Sequence, residues 1–125
     1  MGDENDPGGR AMFYRRKLYI VRKDFVEIFN AHFNETNLPN QIKHGARLIG
    51  RWMKANNDET VEIFAIWEYD SHEAYVGIES NVGADEAHAI RIQDWYEKNG
   101  GRDRVYQEYI LEVKNEFLES TVRAD

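Results

Sequence analysis

The sequence contains no cysteine, only two prolines, no long apolar run and no excess of positive charge. Each absence narrows the function. Without cysteine there is no disulfide framework, no thiolate metal site and no cysteine nucleophile. No stretch approaches the roughly 18 apolar residues of a membrane-spanning helix, and no cationic segment leads into an apolar signal core. A soluble, cytoplasmic protein is expected. The net charge of −7, from 23 acidic against 16 basic residues, opposes the phosphate neutralisation on which sequence-independent nucleic-acid binding depends. Neither nucleic acid nor a membrane is an expected partner.

The 125 residues suit one domain. Residues 1–11 join Gly2, Pro7, Gly8 and Gly9 to three acids and offer little to bury, so they read as a disordered leader ahead of a single domain over 12–125. Phe13 to Val21 is rich in aromatic and β-branched residues, with Leu18 and Ile20 on one face and Tyr19 and Val21 on the other. This predicts a first strand. The basic cluster Arg15-Arg16-Lys17 within it reads as a solvated edge or a source of salt bridges to a partner chain.

Asp24 and Glu27 form an acidic variant of the capping box. The helix that follows places Phe25, Ile28, Phe29, His32 and Thr36 on one stripe, with Phe33 at its flank; Pro39 bends or restarts it, Ile42 continues the buried side and Gly45 ends it. Strands are predicted over Arg47 to Ala55 and Thr60 to Tyr69, joined by the turn-forming Asn56-Asn57-Asp58-Glu59. In the second of these, Val61, Ile63, Ala65, Trp67 and Tyr69 share one face and Phe64 and Ile66 the other. A broken helical crossover follows, capped at Asp70 and again at Asp85, and stopped by Asn99-Gly100-Gly101. The alternation from Val105 to Lys114 predicts a fourth strand, with Phe117 to Val122 either extending it or docking on a partner.

The order strand, helix, strand, strand, helix, strand is the split βαβ unit, an α+β ferredoxin-like βαββαβ sandwich with a four-stranded antiparallel sheet. Both crossovers lie on one side of that sheet. The other face, carrying Phe64 and Ile66, is left bare and predicts a homodimer formed sheet against sheet.

Three segments, Tyr14-Arg15-Arg16-Lys17-Leu18-Tyr19, His44-Gly45-Ala46-Arg47-Leu48-Ile49-Gly50-Arg51-Trp52 and Trp67-Glu68-Tyr69-Asp70-Ser71, resemble in order and spacing the opening strand, the His-Gly-x-x-x-x-Gly-x-Trp segment and the Trp-x-Tyr-x-Ser strand end of the NIPSNAP family. That family lies within the dimeric α/β-barrel superfamily. The resemblance covers roughly residues 13–81; Arg15 stands where the family usually has Glu and Lys17 where it usually has Arg.

It implies a dimeric α/β barrel and a ligand between sheet and helices. In this chain the walls of that space are expected to include Trp52, Trp67 and Tyr69, with His32 facing inward, and the ligand to be small and hydrophobic or aromatic. The catalytic candidates are His32, His44 and Tyr69. Each has an ordinary structural account as well: core packing for the aromatics and His32, helix capping for His44.

No ligand spacing among His32, His44, His72 and His88 supports a metal, no cofactor is predicted, and a single histidine leaves haem open. The functions that follow are a small-molecule-binding domain, a cofactor-independent monooxygenase or isomerase, or a non-catalytic protein-interaction module.

Overall fold

A computed structural model describes residues 12–122. The leader predicted over residues 1–11 lies outside the described residues, as do 123–125. Strands β1 (Phe13–Arg22), β2 (Arg47–Ala55), β3 (Thr60–Tyr69) and β4 (Ile110–Leu118) form one sheet in the order β2-β3-β1-β4, every neighbouring pair antiparallel. This is the ferredoxin-like arrangement. The β2–β3 hairpin turns where the Asn57 side chain accepts from the amides of Glu59 and Thr60, both at 2.9 Å, so an Asx-type bond closes the loop.

The first crossover is helical from Lys23 to Lys43 in four pieces: a 3₁₀ turn (Lys23–Phe25), α1 (Val26–His32), a π turn (Phe33–Asn37) and α2 (Leu38–Lys43). The π turn ends two residues before Pro39, whose missing N–H removes the bond to Glu35 that an α-helix would make. The acidic capping box at Asp24 does not form, because the 3₁₀ turn occupies that position and its entry carries no side-chain cap. Gly45 takes φ 104°, the left-handed value that ends the helix.

The second crossover holds α3 (His72–Ala84), α4 (Glu86–Lys98) and α5 (Arg102–Glu108). Ser71, one residue later than expected, caps α3 by accepting from the Ala74 amide at 3.0 Å. Asp85 caps α4 as its acidic side chain predicts. The strand expected over Val105 to Lys114 is corrected: Val105, Tyr106 and Gln107 belong to α5, and β4 begins at Ile110. Val105 and Tyr109, four residues apart, both pack on the first core cluster, so a short segment that alternates also satisfies a helical spacing.

The β1–β3 register sets the two faces. Phe13, Arg15, Lys17, Tyr19 and Val21 pair with Tyr69, Trp67, Ala65, Ile63 and Val61 and face the helices. Two clusters fill that side. One joins Val21, Phe25, Phe29, Ile63, Val105 and Ile110. The other joins Ala46, Ala65, Trp67 and Tyr69, with Phe33, Leu38, Tyr75 and Ile78 against it.

Two expectations about the faces are corrected. Ile42, placed on the buried side by periodicity, is 56% exposed, because the π turn rephases the helix before it. The Arg15-Arg16-Lys17 run is not an edge: β1 lies between β3 and β4, so Arg15 and Lys17 point into the helix layer and Arg16 into the open face.

Candidate functional site

Between the two core clusters lies a partly enclosed cavity of about 200 Å³. Its sheet wall follows from register. Arg51 of β2, Ala65 of β3 and Lys17 of β1 form one row across three adjacent strands, and the small Ala65 between two long cations leaves the space. Trp67 and Arg15 form the next row, and Tyr19 borders the other side.

The helical wall is a stripe at intervals of four, Phe29, Phe33, Asn37 and Gln41, carried through the π turn. Glu79 of α3 and His88 of α4 complete the lining.

Electrostatically this wall is unusual for a protein interior. Arg15 is 5% exposed; its guanidinium donates to Tyr69 Oη at 3.0 Å and to Asn115 Oδ1 at 3.4 Å, and pairs with Glu79 at 3.9 Å. Arg51 donates to Asn30 Oδ1 at 2.7 Å and lies over the Phe33 ring at 4.2 Å. Arg15 Nε, Arg51 Nη2, Gln41 Oε1, Glu79 Oε2 and His88 Nδ1 are buried without a hydrogen-bond partner among the described residues. Burial pulls Arg51 down to about 10. Burial, and then the neighbouring Arg15 charge, lowers Lys17, while Glu79 works in the opposite sense. Burial raises Tyr19 to about 12. Three cations, Arg15, Lys17 and Arg51, line the cavity against one carboxylate, Glu79.

The residues singled out by sequence divide. Trp67 lines the cavity and is 4% exposed. Tyr69 sits one step behind it, holding Arg15.

Trp52 is corrected: it pairs with Phe64, projects on the open face, is 49% exposed and lies across Gly50, where any Cβ would collide with its indole. The bulge between Leu48 and Gly50 shifts the parity of β2, so Arg51 rather than Trp52 faces the helices.

His32 does not reach the cavity. It stacks on Trp95 at 3.9 Å and borders an outer groove with Ile28, Glu35 and Asp94, and burial, followed by the His88 charge, lowers it to about 4. His44 is also elsewhere: its Nε2 meets Asp85 Oδ2 at 2.9 Å, alongside Asn40 and Lys43. That junction ties α2 to the start of α4. The His44 bond, then the His88 amide, hold Asp85 far below the usual carboxylate range.

Sequence reading missed Arg15, Lys17, Arg51, Glu79 and His88 as cavity residues. For Arg15 and Lys17 the signal was present in the two-residue period, since Tyr19 and Val21 had already been assigned to one face. Among the described residues no group of three His, Asp or Glu side chains gathers as a metal site, and no helix is long and apolar enough to cross a membrane.

Comparison with protein-family models and with curated proteins finds no match. Solved structures do match. A NIPSNAP-like domain protein of Burkholderia xenovorans superposes with a TM-score of 0.67 at 18% identity, over 92% of this chain and 90% of that one. A NIPSNAP family protein of Agrobacterium tumefaciens gives 0.68 at 16% identity, over 90% and 88%. A putative antibiotic biosynthesis monooxygenase of Bacillus cereus gives 0.55 at 16% identity, over 93% and 99%. At these identities the likeness is one of fold. This chain therefore has the ferredoxin-like fold that these NIPSNAP-family structures share.

Proposed function

We propose that this chain is a small-molecule-binding domain, its ligand seated between sheet and helices, working as a homodimer paired through the open sheet face. The observation that carries the first part is the cavity itself. It is walled by Phe29, Phe33, Tyr19 and Trp67 and dotted with partnerless polar atoms, a combination that an apolar body with a polar tip satisfies. Its volume suits a single-ring molecule. The candidate bases His32 and His44 do not border the cavity, and His88 does.

The pairing rests on the opposite face, where Leu18, Phe64 and Trp52 lie side by side in the register. Around them Arg16, Glu62 and Glu116 alternate in sign, which suits an isologous contact between two copies. A cytoplasmic location fits the lack of cysteine.

Trp67 provides the test for ligand binding. In a Trp52→Phe, Trp95→Phe variant it is the only indole, and adding small one-ring aromatics is expected to change its fluorescence in a saturable way. Ala65→Leu, which fills the cavity, is expected to abolish that change. A response equal in both proteins removes the cavity from consideration.

A further inference from the structure

We propose that the ligand of this cavity is a small aromatic carboxylate, its carboxylate held between Lys17 and Arg51 and its ring against Phe29, Phe33 and Trp67. The inference rests on the small-molecule reading and adds the charge and chemical class of the ligand. Lys17 and Arg51 stand two strand spacings apart, about 10 Å between Cα positions, with only Ala65 between them. Two long side chains reaching inward from such positions can meet one small anion from both sides.

Their present partners do not neutralise them. Glu79 pairs with Arg15, and among the described residues no carboxylate lies within ion-pair distance of Lys17 or Arg51. Lys17 lies 5.9 Å from the Tyr19 ring and Arg51 4.2 Å from the Phe33 ring. Aromatic faces steady a cation but accept nothing in the plane of a guanidinium, and Arg51 Nη2 is one of the partnerless buried atoms.

Burying unpaired charge is expensive. Three cations against Glu79 leave a surplus that an incoming carboxylate would offset, and carboxylate geometry matches the guanidinium fork. The aromatic walls exclude a bare inorganic anion as the better fit, since they would be left dry and unfilled. Burial lowers the proton affinities of both Lys17 and Arg51, and the Arg15 charge lowers that of Lys17 further.

The test is calorimetric titration at neutral pH with benzoate and with benzamide, which share a ring and differ in charge. Benzoate is expected to bind at least roughly tenfold tighter, and Lys17→Met or Arg51→Met to reduce that preference to a few-fold. Glu79→Gln removes the competing carboxylate and is expected to strengthen benzoate binding, a gain that misfolding cannot produce. Equal binding of the two compounds overturns the anionic ligand while leaving the small-molecule reading intact. Absence of binding by both overturns the two together. A benzoate preference unchanged in both methionine variants overturns the assignment to Lys17 and Arg51.

Discussion

His32, a candidate for chemistry by sequence, lies outside the cavity and stacks in the helix layer. From the end of α1 it stacks on Trp95 of α4, and burial lowers its proton affinity from 6.5 to about 4. The linkage is direct. Between about pH 6.5 and 4 the unfolded chain carries the His32 proton and the folded chain does not, so stability is lost as pH falls through that window and is fully present above it. His88, also lowered chiefly by burial, acts in the same direction. A His32→Phe variant keeps the stack without titrating. Its melting temperature is expected to fall less than that of the wild type between pH 7 and 5, by about the slope of one proton. Identical slopes would contradict the burial of a neutral imidazole. Lys17 makes the opposite point, since a residue read as a solvated charge on a basic run lines the interior.

At the scale of elements, strands were more legible than caps or breaks. Arg47–Ala55 and Thr60–Tyr69 match their predicted bounds, which the turn-forming Asn56 to Glu59 set between them. Arg102–Glu108 is short enough for two periods to fit, and packing of Val105 selected the helix. Phe25 anchors the first crossover: it is 2% exposed, stacks on Tyr109 at 4.5 Å and meets Trp95 edge-on at 5.7 Å. It therefore couples the 3₁₀ entry of that crossover to α4 and to the residue before β4. Phe25→Ala is expected to cost about 3–5 kcal/mol, read as a lower urea midpoint at unchanged slope. A loss within the range of surface substitutions would mean that the site is not held by this aromatic contact.

At the scale of the molecule, the helices cover one face of the sheet and leave Trp52, Phe64 and Ile66 on the other. Trp52→Glu should cost the isolated chain little, because the side chain is half exposed there. If the pair forms through this face, sedimentation at micromolar concentration is expected to show the wild type at twice the 14.7 kDa chain mass and the variant at the chain mass. A wild type already at the single-chain mass rules the pairing out.

The sequence by itself determined the strand periods, the ferredoxin-like order and the inward placing of Trp67 and Tyr69, because these follow from local alternation and from the spacing of turn residues. Tertiary structure alone decided where the cavity lies and what it can hold. The β-bulge after Leu48 exchanged Trp52 for Arg51 on the inner face, the π turn aimed Phe33, Asn37 and Gln41 at one space, and strand register set Lys17 beside Ala65. A one-residue shift in a strand reverses which side chains face inward, and no local pattern records the shift until its neighbours are paired.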